Sequence, residues 1–184
     1  MDLGKIKVSP KDIGISLYLI YLSMQTKHNM LLEEDAAKQL FEQAIPVHRM
    51  LNVKVLEIRD GYCKMLFPNK TDVLGDFRFK RWHGGIIATA MDSVGGAAAM
   101  TTLTSPEDKL ATIDIRVDYL RGTVPSDLIA IGHLVRSGNR IISCRMEAWQ
   151  ENEQMLVAEA RAMFSVYRQQ ETWSAKQDEK SSKS

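Results

Sequence analysis

His83-Gly84-Gly85, followed nine positions after the histidine by Asp92, is the part of this chain whose residue types and spacing could do chemistry. Two consecutive glycines let the backbone turn tightly and approach a ligand closely. They stand at the entry to an apolar run, Ile86 to Gly96, that reads as a helix. The unpaired N–H groups of a helix N-terminus point at whatever sits above them, which suits a developing negative charge. Asp92 interrupts the run of Ala, Ile and Met about two turns later. Burying a carboxylate costs several kcal/mol, on the order of the loss of a hydrogen-bonded pair, unless the group is paired or used.

Helical geometry sharpens the reading. At about 100° per residue, Ala88, Thr89, Gly95, Gly96 and Ala99 project within about 60° of Asp92, and none of them is bulky. Ile86, Ile87, Ala90, Val94, Ala97 and Thr101 fall in the opposite sector as a core-facing stripe. The carboxylate is therefore expected on a face emptied of volume. The competing reading is a polar position on an ordinary surface helix; the preceding His-Gly-Gly weighs against it.

The elements that must hold this helix are strands. Asn52 to Ile58 and Tyr62 to Phe67 alternate with period two around Arg59-Asp60-Gly61, where Asp-Gly signals a hairpin. Pro68 to Trp82 reads as a loop. Thr112 to Leu120 is the cleanest strand, with Ile113, Ile115, Val117 and Tyr119 expected on one face and Thr112, Asp114, Arg116 and Asp118 on the other. Asp127 to Val135, Ile141 to Trp149 and Met155 to Tyr167 complete the set. One covered helix among antiparallel strands gives an α+β class. Ser9-Pro10 with Asp12 reads as a helix start, and Ala37, Leu40, Phe41 and Ala44 have helical spacing that stops before Pro46. We therefore expect three segments: an N-terminal helical arm over 1–45, a domain over 46–168, and a disordered polar tail over 169–184.

Composition narrows the classes. With 184 residues, 45% hydrophobic and 26% charged, the chain can bury a core of its own. A net charge of +1 and the absence of a basic block with interleaved aromatics argue against nucleic acid. Cys63 and Cys144 form no Cys-x-x-Cys and read as buried free thiols in a reducing compartment, hence a cytoplasmic protein. His28, His48, His83 and His133 show no ligand spacing, so no metal is expected. Ile13 to Leu22 is apolar but too short to span a bilayer.

The segment from Gly75-Asp76 through His83-Gly84-Gly85 to Asp92 resembles the signature of hotdog-fold thioesterases, in the branch related to the phenylacetate-pathway and hydroxybenzoyl-CoA enzymes. Thr112 to Arg121 is similar to the strand that follows in that family, and Arg136-Ser137-Gly138-Asn139-Arg140 to its later turn, so the resemblance covers about Ile45 to Arg168. It implies a hotdog fold, an antiparallel sheet wrapped around a central helix, here with an extra helical arm. It implies acyl-CoA thioesterase activity without a cofactor, in a homodimer or a dimer of dimers. The backbone N–H at Gly84, with Gly85 beside it, would hold the thioester oxygen; Asp92 would act as general base or nucleophile across the dimer interface. Thr112 would help place the water, or is merely a β-branched strand residue. His83 would orient the loop rather than do acid–base work. Many relatives carry an Asn shortly before the His; here Phe77 to Trp82 fill that span, with Asp76 the nearest polar residue. Arg121, Arg136, Ser137, Gly138 and Arg140 are the candidates for the phosphates of coenzyme A. The carrier could equally be an acyl carrier protein. The alternatives are a non-catalytic acyl-CoA-binding protein and a hotdog hydratase or dehydratase, which would need Asp and His poised together.

Overall fold

The computed structural model describes residues 34–104 and 108–168. Residues 1–33 of the expected arm and the expected tail lie outside the described residues. The chain begins with a short helix α1 (Glu34–Gln39), a π-helical turn (Leu40–Ala44) and a second short helix α2 (Pro46–Leu51). Two strands follow, β1 (Lys54–Arg59) and β2 (Tyr62–Phe67), then a 3₁₀ turn (Thr71–Val73) and the short pair β3 (Leu74–Asp76) and β4 (Arg81–Trp82). The long helix α3 (Gly84–Met100) precedes four long strands, β5 (Lys109–Tyr119), β6 (Leu128–Ser137), β7 (Ile141–Gln150) and β8 (Met155–Tyr167).

Six strands form one antiparallel sheet in the order β1-β2-β6-β7-β8-β5, so β5 leaves α3, crosses the sheet and pairs at its far edge. The face under α3 is built from small residues. Ala130, Ala148 and Ala158 lie opposite one another on β6, β7 and β8, and Gly132, Met146 and Ala160 form the neighbouring rung. At Gly132 a Cβ would stand 2.3 Å from the Val94 carbonyl oxygen, so the glycine is what lets helix and sheet touch. Ile87, Ala90, Met91, Val94, Ala97 and Ala98 are the buried side of the helix. Each large apolar side chain so covered contributes about 1.5–3 kcal/mol. This is the sheet around a helix that the resemblance implied.

The helix expected to stop before Pro46 does stop there, and Pro46 also opens α2 at its first position, where its missing N–H has no role and its fixed φ suits the helix. Three expectations need correction. The stretch 68–82 is not featureless, since β3 and β4 pair as a small separate sheet. Gly95 and Ala99 do not face empty space: both are buried, and a Cβ at Gly95 would meet Met146 Sδ at 2.9 Å. Finally, β5 does not alternate as read. A bulge between Thr112 and Asp114 inserts Ile113 as an extra residue. Thr112 therefore faces the helix together with Ile115, Val117 and Tyr119, while Ile113 is exposed.

Candidate active site

The N-terminus of α3 is held from three sides. The backbone N–H of His83 donates to the Val73 carbonyl at 2.8 Å, and Gly75 allows β3 to pass close by, since a Cβ there would lie 2.8 Å from His83 Cα. His83 is the N-cap: its Nδ1 accepts the Gly85 N–H at 3.0 Å. The N–H groups of Ile86 and Ile87 both donate to the His83 carbonyl. Tyr119, reaching over from β5, donates its hydroxyl to the Gly84 carbonyl at 2.7 Å. Of these first amides, the Gly84 N–H has no hydrogen-bond acceptor among the described residues. The geometry thus separates the two glycines: the Gly85 amide belongs to the histidine cap, and the Gly84 amide has no partner among the described residues.

Asp92 sits on the half-exposed flank of α3. The Thr112 hydroxyl donates to its Oδ1 at 2.9 Å, a contact that exists because the β5 bulge turns Thr112 towards the helix. Ala88, Thr89 and Gly96 line the same flank. A Cβ at Gly96 would meet nothing nearer than Phe164 at 3.7 Å, so the open space read from the sequence survives at that glycine.

Behind Asp92 lies a network the sequence reading did not find. His48 on α2 is buried, with Nδ1 donating to the Phe41 carbonyl at 2.8 Å and Nε2 2.9 Å from Ser93 Oγ. Ser93 Oγ is also 2.7 Å from the Thr89 carbonyl, and its one proton serves either acceptor. Burial pushes the His48 pKa below its ordinary value, against the opposing pull of the Phe41 carbonyl. The sequence signal was thin: a histidine in the turn after Pro46 and a serine beside Asp92.

The remaining candidates divide between the two ends of the helix. Asp76 is engaged within its own turn, where its carboxylate accepts from the Arg78 backbone N–H at 2.9 Å and faces the Arg78 guanidinium at 3.3 Å. Those contacts hold its pKa below the ordinary carboxylate range. Beside it Phe77 and Phe79 are exposed, at 84% and 62%, and Arg78 and Arg81 lie 5.7 and 5.2 Å from the Phe79 ring. The Arg81 guanidinium packs over Gly122, next to the exposed Arg121, so these cations gather at the Gly84 end. The turn 136–140 is not with them. Ser137 Oγ lies 3.3 Å from Thr102 Oγ1, just beyond the C-terminus of α3. A helix of 17 residues is about 25 Å long, so within one chain this turn and Gly84 are at opposite ends. The Gly138 N–H is also engaged, donating to the Ile141 carbonyl at 2.9 Å, whereas Arg136 and Arg140 are exposed.

Among the described residues no group of His, Cys, Asp or Glu is arranged to hold a metal ion, and no helix is long and apolar enough to cross a membrane. Cys63 and Cys144 are both buried and free, and burial pushes their thiols up to about 12 and about 11.

Comparison with known proteins gives concordant results. Residues 79–157 match the family model described as Thioesterase superfamily. A medium/long-chain acyl-CoA thioesterase of Escherichia coli, YigI, is 30% identical over 152 residues, covering 74% of this chain and 97% of the relative. A putative esterase of Halobacterium salinarum is 33% identical over 151 residues, covering 74% and 96%. Among solved structures, a protein of Shewanella oneidensis related to the thioesterase superfamily superposes with a TM-score of 0.65 at 28% identity, covering 72% of this chain and 94% of its own.

Proposed function

This chain belongs to the thioesterase superfamily and is a thioester hydrolase, and from that premise we propose that its substrates are medium- to long-chain acyl-CoA thioesters. The observation that carries the hydrolytic reading is Asp92, steadied by Thr112 on the half-exposed flank of a helix whose first amide, at Gly84, has no acceptor among the described residues; the chain length follows the likeness to YigI. The Gly84 N–H would receive the thioester oxygen, with the helix dipole adding partial positive charge. Asp92 would either take a proton from water as the water adds to the carbonyl carbon, or add to that carbon itself. In the first route the C–S bond breaks as the proton held by Asp92 passes to the leaving sulfur, so coenzyme A departs as the thiol. In the second, coenzyme A departs as the thiolate and the acyl group stays on Asp92 as an anhydride. Water then cleaves that anhydride to the free acid while the thiolate takes up a proton. Thr112 occupies one carboxylate oxygen and so leaves the other to the reaction.

Within one chain these groups do not meet. Eight residues of helix separate Gly84 from Asp92, roughly 12 Å along the axis, whereas a reacting carbonyl needs both within about 3–3.5 Å. Two copies resolve the distance, with Gly84 of one facing Asp92 of the other. The edge of β5 supports this: it ends the sheet over 11 residues, with Ile113, Tyr119 and Leu120 exposed along it. A two-fold axis across paired β5 strands reverses the second helix, carrying the second copy's Arg136 and Arg140 towards the first copy's Gly84. Arg121, with Arg78 and Arg81, would then meet coenzyme A phosphates from the near side. The buried thiols favour a reducing, cytoplasmic setting.

A hydratase would need His and Asp poised together. His48 lies behind Ser93. His83, which beside Gly84 would come near the second copy's Asp92, has its Nδ1 engaged in capping its own helix. The test is a hydrolysis screen across short, medium, long and aryl acyl-CoAs with detection of free thiol. Turnover highest on the medium and long chains is expected. Hydration of an enoyl-CoA without thiol release, or binding without turnover, would overturn the reading.

A further inference from the structure

The two peptide groups at the start of α3 have four polar ends, and three of them are held. In the peptide joining His83 to Gly84, the carbonyl accepts the N–H groups of Ile86 and Ile87 at 3.0 and 3.2 Å. In the peptide joining Gly84 to Gly85, the N–H donates to His83 Nδ1 at 3.0 Å and the carbonyl accepts the Tyr119 hydroxyl at 2.7 Å. The fourth end, the Gly84 N–H, has no partner among the described residues. Glycine has no Cβ to restrict these peptides, so their planes must be held by neighbours. The first amides and His83 belong to the helix and its own cap. Tyr119 comes from elsewhere, 35 residues later in the sequence. The sheet fixes its place: Tyr119 lies opposite Ala158 on β8, and the N–H groups of Leu120 and Arg121 both donate to the Val157 carbonyl, at 2.9 and 3.2 Å. Its ring rests against the first glycine, where a Cβ would meet the hydroxyl at 3.3 Å.

We propose that Tyr119 is a positioning residue for hydrolysis, holding the Gly84–Gly85 peptide so that the neighbouring Gly84 N–H stays aimed at the thioester oxygen. This rests on the reading of the Gly84 amide as the donor to that oxygen. A donor helps most when it already points to where charge develops, because nothing then has to reorganise during the reaction. Without the hydroxyl, one end of the Gly84–Gly85 peptide is released, and the two glycines regain freedom to turn. The bond also polarises the peptide, so that its N–H binds His83 Nδ1 more strongly and the cap and the tyrosine support each other. A phenylalanine would fill the same space and supply neither effect. Because the ring is exposed, water can replace a lost hydroxyl, but a mobile water does not fix a peptide plane. One strand then serves both halves of the chemistry: β5 steadies Asp92 through Thr112 and Gly84 through Tyr119.

The test is Tyr119→Phe in the full-length chain, which keeps the ring and removes the hydroxyl alone. On dodecanoyl-CoA kcat should fall about tenfold, the scale of one hydrogen bond, with KM within about twofold and the thermal midpoint unchanged. Removing a direct donor to an oxyanion costs about 10²–10³-fold, so a loss that large would make Tyr119 itself the donor and overturn the positioning role. A spectroscopic readout separates positioning from packing. The probe is the ketone analogue of dodecanoyl-CoA, with a methylene group in place of sulfur and an isotopic label at the carbonyl carbon, followed by infrared difference spectroscopy. Bound to the unaltered protein, its carbonyl stretch should lie below the value in water, as one band. In Tyr119→Phe it should move back towards the water value and broaden. A band that stays fully lowered in the variant, or an unchanged kcat, would overturn the role of Tyr119 while leaving the Gly84 amide as the donor. A band at the water value in unaltered protein that hydrolyses the substrate would overturn the donor assignment, and this inference with it.

Discussion

In the proposed mechanism Asp92 acts from the half-exposed flank of α3, where one hydroxyl, from Thr112, fixes one of its oxygens. Asp92→Asn preserves size and can still accept that hydroxyl. It should therefore lower kcat by about 10²-fold or more, as for loss of a catalytic base or nucleophile, while the thermal midpoint stays where it was. Thr112→Val keeps the shape and removes only the donor, so a smaller loss of about tenfold is expected, the scale of one hydrogen bond to a charged group. Full activity in Asp92→Asn at an unchanged midpoint would count against the assignment. His48 makes a different kind of prediction. Burial holds its pKa below 6.5 in the folded chain. Between the two values the unfolded chain binds the proton more readily, so stability rises with pH there. The contribution is complete above about pH 6.5 and is lost as pH falls through that value towards the lowered one. Denaturant unfolding of the wild type and of His48→Gln between about pH 5 and 8 should show a slope that the variant loses. Equal slopes would remove His48 as its source.

The helix and its sheet meet at glycines that look alike in sequence and differ in consequence. At Gly132 an added methyl would lie 2.3 Å from the Val94 carbonyl oxygen, a backbone atom that cannot swing aside. Gly132→Ala should destabilise by about 1–3 kcal/mol or more, the range for overpacking a core. At Gly96 the same methyl has room, and alanine is the better helix former by up to about 1 kcal/mol. Gly96→Ala should leave stability unchanged or raise it, measured by denaturant midpoint, while filling space beside Asp92 and lowering turnover. A Gly132→Ala protein as stable as the wild type would show that α3 can lift off the sheet. The same contrast separates Gly84 from Gly85 at the helix start, one amide without a partner among the described residues and the other taken by His83. It is invisible in the letters Gly-Gly.

At the scale of the assembly, the proposed site joins Gly84 of one chain to Asp92 of another, because the two stand far apart along α3 within one chain. Gly84→Val blocks the helix entrance, where a Cβ already meets the Tyr119 hydroxyl at 3.3 Å, and Asp92→Asn removes the carboxylate. Each protein alone should be inactive. Mixed and allowed to exchange subunits, they should recover part of the activity, because one site of a mixed pair joins an intact Gly84 to an intact Asp92. Heterodimers that form and stay inactive would argue for a site within one chain.

Much of this arrangement was legible in the residues because it rests on local physics. A doubled glycine after a histidine marks a helix start; Asp60-Gly61 turns a hairpin, with Gly61 at a φ of 67° that glycine adopts freely. Alternation over Met155 to Tyr167 gives β8 its bounds to the residue. These features need no knowledge of what lies across the sheet. The facing of Thr112 does, because one bulge shifts the register against β8 and turns the hydroxyl from the outer surface to Asp92, 20 residues earlier. So do the fates of Gly95 and Gly96, decided by Met146 and Phe164 from strands far along the chain. The distance of Arg136 and Arg140 from Gly84 likewise depends on strand order. Local propensity sets which backbone forms; which side chains meet is set by register between strands distant in sequence, and that register was settled by packing the whole sheet around one helix.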